Sequence, residues 1–420
     1  MRKISVIGLG YVGLPTASML ATKGFSVYGL DVDPNVVAEL AAGRTRIEER
    51  DLDTLVLAAV QSGNLRCGTR ADPADIFIVA VPTPVRPDHS ADLDAVRAAA
   101  LSVAGVLKRG DLVILESTVP PRTTCGLLRE WLETSGLRAG VDFHLAHCPE
   151  RVLPGNLLVE LVTNDRIIGG LDAASAEAAA ELYRSFVVGE LVQTDATTAE
   201  LVKLMENTNR DVNIALANEF ALIAERIGVD VWDAIGLAGR HPRVRFLRPG
   251  PGVGGHCIAV DPWFVVEVAP EVARLISTAR EVNDAMPTHV VDLVRNAVGQ
   301  LEGAVLVALG RTYKADVTDE RESPAIKVID ALRRAGAEVR EHDAMIRHDK
   351  PVADLAEGAD GLVYLVDHAG YRDLEPTALA RAMRKPIVVD TRGVLDQGRW
   401  EHAGFAVRSL GRGVPAAREV

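Results

Sequence analysis

The sequence is 420 residues long and 48% hydrophobic, with 58 acidic against 46 basic side chains and a net charge of −12. That length leaves room for two or three domains with a substantial core. The acidic balance argues against nucleic acid and against an anionic membrane surface as partners, since both are bound through clustered Lys and Arg. No apolar run approaches a membrane span. Cys67, Cys125, Cys148 and Cys257 form no CxxC pair, so neither a metal site nor a disulfide framework is expected. With Lys3 entering a strand directly, the expectation is a cytoplasmic protein with reduced thiols.

Lys3 to Ile7 reads as a buried strand. Gly8-Leu9-Gly10-Tyr11-Val12-Gly13 then turns into a helix running to about Lys23, and a second strand, Phe25 to Leu30, ends at Asp31. This is the dinucleotide-binding order. Gly8 serves the tight turn, Gly10 the close approach of a pyrophosphate and Gly13 the packing of helix on strand, with the phosphates at the helix N-terminus. Asp31 is placed for the adenosine ribose hydroxyls and would repel a 2′-phosphate, which favours NAD over NADP. The run Asp75 to Val81 is short and almost wholly apolar, as expected of a central parallel strand.

From about Thr197 to Ile227 the chain reads as one helix, with Thr197 and Glu200 at capping-box spacing and Gly228 as its stop. Lys203, Asn207 and Arg210 fall on one narrow face of it, either as a solvated face or as a binding face. Pro249 to Pro262 is a glycine-dense loop that presents Cys257 between His256 and Asp261. It reads either as a nucleophile held where side chains do not obstruct a ligand or as a tight turn before an inert cysteine. A degenerate second copy of the first pattern follows: a strand from Ala304 to Gly310, a helix from Pro324 to Arg334, and a strand from Glu338 to Glu341 leading to Asp343. Asp360 to Val366 echoes Asp75 to Val81. Lacking GxGxxG, this copy is expected to bind something other than a second NAD.

The fold class expected is therefore α/β, with two doubly wound Rossmann-like parallel-sheet domains joined by a long central helix or helical domain. The boundaries fall at 1–190, 191–297 and 298–420, and the tail after about Leu410 stands outside the globular part.

The segments GPGVGGHCIAVDPW (250–263), ELVKLMENTNRDVNIALANE (200–219), AHCPERVLPGN (146–156), Glu116-Ser117-Thr118-Val119-Pro120 and GRTYKADVTDERESPA (310–325) together resemble the UDP-glucose/GDP-mannose dehydrogenase family. The resemblance runs in the family's order from Ile4 to about Gly393. Within the family, the His-Cys-Ile-Ala-Val-Asp-Pro-Trp wording is most similar to the members acting on UDP-N-acetyl-D-mannosamine, and those acting on UDP-N-acetylglucosamine share much of it. The resemblance implies an NAD-dependent, four-electron oxidation of a sugar C6 alcohol to a carboxylate through a thiohemiacetal and a thioester on Cys257. UDP-N-acetylglucosamine and UDP-glucose are the rival substrates. Outside the enzyme class, the alternative is a catalytically silent regulator that binds NAD or a sugar nucleotide.

The roles it implies are specific. Lys203 and Asn207 would stabilise charged oxygens, with Lys203 also exchanging protons. Glu150 would activate the hydrolytic water, helped by Thr118, and Asp261 would be a supporting acid. Tyr11, Val12, Thr83 and Thr118 would join the NAD site, with Arg321 reaching a neighbour's NAD or forming a surface salt bridge. Arg151, Val152, Lys203, Asn207, Arg210, Gly254, Tyr313 and Lys314 would hold the UDP-sugar. His241 and Arg243 would act across the interface of a homodimer. Asn35 departs from the basic residue that family members often carry after the ribose-binding acid, and residues 45–50 match only loosely.

Overall fold

Ile4, Val6 and Ile7 are sealed from water because the strand carrying them lies mid-sheet with helices on both faces. The computed structural model describes residues 2–153 and 155–413. They form two compact units, Met1–Glu206 with Trp263–Val272, and Asn207–Pro262 with Ala273–Val420.

In the first unit the strands are β1 (Lys3–Ile7), β2 (Ser26–Leu30), β3 (Leu65–Gly68), β4 (Ile76–Val79), β5 (Leu112–Leu115), β6 (His144–His147), β7 (Arg166–Gly170) and β8 (Leu191–Asp195). They lie in the order β3-β2-β1-β4-β5-β6-β7-β8. All pair in parallel except β6 with β7, which run antiparallel. The chain steps outward from β1 to β3 and then returns to place β4 beside β1, with Ile4 opposite Ile76 and Ile7 opposite Val79. That reversal opens a crevice at the carboxyl ends of β1 and β4, where open α/β sheets bind ligands. Separate apolar clusters, one around Leu14, Leu20 and Val56 and one around Phe77, Val103 and Leu132, make the core.

In the second unit, β9 (Val305–Leu309), β10 (Glu338–His342), β11 (Gly361–Tyr364), β12 (Ile387–Asp390) and β13 (Ala406–Ser409) form an all-parallel sheet in the order β10-β9-β11-β12-β13. Its reversal point lies between β9 and β11. The helix Pro324–Arg334 starts on its proline, which fits the first helical turn without losing a hydrogen bond. It packs beside the helix Arg274–Val298, whose Val290, Val291, Val294 and Val298 are buried in the same cluster.

The long helix spans Ala196–Ile227, but its cap is not the expected one. Asp195 accepts from the Thr198 N–H at 2.9 Å and from its hydroxyl, so the cap lies two residues before Thr197. Glu200, 1% exposed, instead accepts from the N–H groups of Arg122 and Thr124 and from the Thr124 hydroxyl. Burial pushes its carboxyl up to about 7. The end of the chain also differs from expectation. Leu410 is buried, Gly411 takes the Val231 N–H on its carbonyl, and Arg412 pairs with Asp230. Residues 414–420 of the expected tail lie outside the described residues. Among the described residues no helix is long and apolar enough to cross a membrane.

Candidate active site

Gly8, at φ +90°, ends β1 and donates its N–H to the Leu30 carbonyl at 2.8 Å. A Cβ on Gly8 would stand 2.5 Å from the Ala80 oxygen, and one on Gly13 would stand 1.9 Å from the Gly8 oxygen. One on Gly10 would meet nothing within 4 Å. Two of the three glycines are thus required by the fold, and the third faces open space at the start of the helix Gly13–Thr22, as a pyrophosphate needs. Asp31 ends β2 and holds this turn, accepting from the Leu9 N–H at 2.9 Å and the Asp33 N–H at 2.9 Å, with capacity left for ribose hydroxyls. The residues fit a bound dinucleotide. Tyr11 donates to Glu49, which also accepts from the Gly155 N–H at 2.8 Å, tying the turn beside Val12 to the loop after β6.

Thr83 and Thr118 follow β4 and β5 and are brought together. The Thr83 hydroxyl donates to the Thr118 carbonyl at 2.7 Å, and the Ser117 hydroxyl to the Val81 carbonyl at 2.7 Å. Glu150 follows β6. Its Oε2 accepts from Arg166 on β7 at 2.7 Å and its Oε1 from the Arg151 N–H at 2.7 Å.

Arg166 is a residue that sequence reasoning missed. It is 4% exposed, lies 3.8 Å from Glu116, and stacks over the Tyr183 ring at 4.7 Å. Glu116 accepts from the Tyr183 hydroxyl at 2.7 Å. Burial raises its carboxyl to about 7, with Arg166 pulling the other way. Cys148 belongs to this cluster and is buried, its thiol pushed up to about 11 by desolvation, which makes it inert. His147 is likewise sealed in, and burial lowers it to about 3 and keeps it neutral.

Arg151 reaches Glu206 and the Asp165 carbonyl, each at 2.5 Å, while Val152 packs on the core. Lys203 is half-buried on the long helix. Arg210 is exposed.

In the second unit, Asn207 donates to Asp261 at 2.5 Å. Asp261 opens the helix Asp261–Val268, and its N–H, with that of Val260, returns to the Cys257 carbonyl. Cys257 is half-buried. The loop before it is pressed tightly. A Cβ on Gly254 would lie 2.7 Å from the Glu322 carbonyl and 2.8 Å from the Tyr313 Cβ, and the Gly255 N–H donates to the Arg321 carbonyl at 3.0 Å.

Cys257 acts on Tyr313 and Arg321 through its charge, as a minor contributor in each case. Burial, then Asp319 and Cys257, raise the Tyr313 hydroxyl; the Asp319 hydrogen bond, with Cys257 adding to it, raises Arg321. Arg321 itself is exposed and forks onto Asp319. Lys314, His241 and Arg243 are exposed.

A second missed feature anchors the start of this loop. The Gly250 N–H donates to Asn218 at 2.9 Å, Asn218 donates to Asn283 at 2.8 Å, and Asn283 to Asp211 at 2.8 Å. Arg280, 1% exposed, closes the chain on Asp211 at 2.7 Å. Because every member is buried, the network fixes one arrangement of the backbone. Among the described residues, no group of three or more His, Cys, Asp or Glu side chains is placed to hold a metal ion.

Three domain profiles of the UDP-glucose/GDP-mannose dehydrogenase family match the chain: the NAD binding domain over residues 2–187, the central domain over 197–285 and the UDP binding domain over 307–397. The UDP-N-acetyl-D-mannosamine dehydrogenase of Methanocaldococcus jannaschii is 48% identical, over 98% of this chain and 97% of its own length. The NDP-N-acetyl-D-galactosaminuronic acid dehydrogenase of Ralstonia nicotianae is 48% identical over 94% of this chain and 96% of its own. The solved UDP-D-ManNAc dehydrogenase of Pyrococcus horikoshii superposes with a TM-score of 0.93 at 42% identity, over 98% of this chain and 99% of that one.

Proposed function

The chain belongs to the UDP-glucose/GDP-mannose dehydrogenase family, and on that premise we propose that it oxidises C6 of UDP-N-acetyl-D-mannosamine to the carboxylate in two successive two-electron steps. The observation that carries the reading is Cys257, half-buried at the end of a glycine loop with a guanidinium and a phenol within electrostatic reach. Bound NAD+ accepts the hydride of each step.

Lys203 takes the proton of the C6 hydroxyl as the first hydride leaves. The Cys257 thiolate then adds to the aldehyde carbon, giving a thiohemiacetal whose oxygen is stabilised by Lys203 and the Asn207 amide. Loss of the second hydride leaves a thioester. Glu150, oriented by Arg166 and the Arg151 N–H, draws a proton from water positioned by Thr118, and the hydroxide releases the acid and restores the thiol. Asp261 holds Asn207 in register for this role. Arg151, Arg210, Tyr313 and Lys314 are the groups proposed for the diphosphate and uridine, with Val152 and Gly254 lining the approach.

A second copy is proposed to complete the site. Leu216, Phe220, Ile223 and Ile227 form an exposed apolar stripe at helical spacing, 42 to 67% open, and such a stripe is covered in a stable assembly. His241 and Arg243 would then reach the partner's substrate, and Arg321 its NAD.

The test is the NADH yield per mole of sugar nucleotide, with uronate quantified. Two NADH per UDP-N-acetyl-D-mannosamine are expected, and none with uronate from Cys257→Ser. One NADH per sugar, or unchanged uronate from that variant, overturns the covalent route. The Ralstonia relative favours a second reading, an N-acetylgalactosamine-derived sugar nucleotide, which preferential turnover in the same assay would establish.

A further inference from the structure

The acids that end β2 and β10 occupy equivalent places but have different surroundings. Asp31 is half-buried and accepts from two backbone N–H groups. Asp343 is fully buried: it accepts from the N–H groups of Arg311 at 2.6 Å, Thr312 at 3.2 Å and Met345 at 2.8 Å, and His368 Nε2 lies 3.0 Å away. Burial alone would raise this carboxyl, but the contacts from His368 and the backbone outweigh it and hold it below the ordinary range. Nothing of Asp343 remains for a ribose.

His368 is also fully buried, and both its ring nitrogens are committed. Nδ1 accepts from the Asp316 N–H at 2.9 Å, so the neutral ring carries its hydrogen on Nε2, facing Asp343. Thr312 Oγ1 lies 3.1 Å from the same nitrogen and donates to the Lys314 carbonyl at 2.9 Å. Asp316 sits at φ +57°, a conformation that a non-glycine residue adopts at some cost, and it is held there by His368 and by the Ala369 N–H on its carboxylate at 2.9 Å. The loop is therefore pinned at Thr312 and at Asp316, with Tyr313 and Lys314 between the pins.

We propose that His368 is a positioning residue for the sugar nucleotide: by bridging Asp343 to the Asp316 backbone it fixes the loop that presents Tyr313 and Lys314 to the uridine diphosphate. The acid that reads ribose in the first sheet is turned into loop scaffold in the second. This rests on the reading that Tyr313 and Lys314 meet the nucleotide.

The experiment titrates UDP, and separately NAD, into the full chain by calorimetry for wild type, His368→Leu, Thr312→Val and Lys314→Ala. Lys314→Ala and His368→Leu are each expected to weaken UDP at least tenfold with NAD affinity within twofold. A general loss of folding would not produce that split. If Lys314→Ala weakens UDP and His368→Leu leaves it within twofold, the positioning role is overturned. Unchanged UDP binding in Lys314→Ala overturns the underlying reading and the inference with it. Should His368→Leu fail to bind NAD, Thr312→Val decides: threefold or greater selective weakening of UDP supports the role, and none refutes it.

Discussion

Replacing Arg166 by Met keeps the bulk of the side chain and removes its charge. The guanidinium now serves Glu150 at 2.7 Å and Glu116 at 3.8 Å while lying on the Tyr183 ring. Removing one partner of a buried ion pair costs about 3–5 kcal/mol, because the remaining charge has neither water nor a counterion. For a unit of this size each kcal/mol corresponds to roughly 2–4 °C in Tm, so a fall of about 6–20 °C is expected near pH 8.

The loss should depend on pH in a defined direction. Glu116 has a folded pKa of about 7 against an ordinary 4.5, so between those values the folded chain binds more protons than the unfolded chain. Its contribution to stability is full below pH 4.5 and is lost as pH rises through 7. Without Arg166, which lowers it, the Glu116 pKa moves further up, and the variant continues to lose stability above pH 7 where wild type has levelled off. An upward move of about one unit makes the penalty about 1.2 kcal/mol larger at pH 8.5 than at pH 6. Scanning calorimetry of both proteins at the two pH values reads this directly. A Tm drop under about 2 °C at pH 8, or a penalty that shrinks as pH rises, would refute the assignment of Arg166 as counterion to the pair.

The glycines after β1 should separate fold from ligand. Gly10→Ala is expected to keep Tm within about 2 °C while weakening NAD at least tenfold, whereas Gly13→Ala, with its Cβ 1.9 Å from the Gly8 oxygen, should destabilise the first unit by several kcal/mol. Calorimetry with NAD titration checks both, and a wild-type Tm in Gly13→Ala would contradict the geometry. The dimer is tested by sedimentation: wild type is expected as a dimer at micromolar concentration and the double variant Ile223→Lys, Ile227→Lys as a folded monomer. A monomeric wild type would remove the interface and the trans roles of His241 and Arg243.

Local, periodic information was legible in the sequence. β1, the glycine turn, β2 and Asp31 emerged in order because alternation, turn chemistry and helix period all act over a few residues. The helix Pro324–Arg334 has the expected bounds because its proline start and amphipathic spacing are both local. The Cys257 loop stood out because so many glycines in one stretch have few purely structural uses. What stayed hidden were partners joined only by folding. Arg166 faces Glu150 because β7 turns antiparallel to β6, and Arg280 meets Asp211 across 69 residues of chain. No periodicity marks such pairs. Glu200 was misread for a related reason: its capping-box spacing was real, but a buried carboxylate found better donors in the segment after β5.

The return of residues 410–413 onto the helices near Asp230 limits how this protein can be cut and recombined. Trp232 donates its ring N–H to the Leu410 carbonyl at 2.9 Å and closes against Gly393, while Gly411 fits against Val231. A fragment starting near residue 298 would leave Leu410 and Gly393 facing solvent, and one ending near 297 would strip the cover from Trp232. Chimaeras that exchange nucleotide specificity between relatives therefore need to carry residues 228–248 and the carboxyl-terminal sheet as one inherited block.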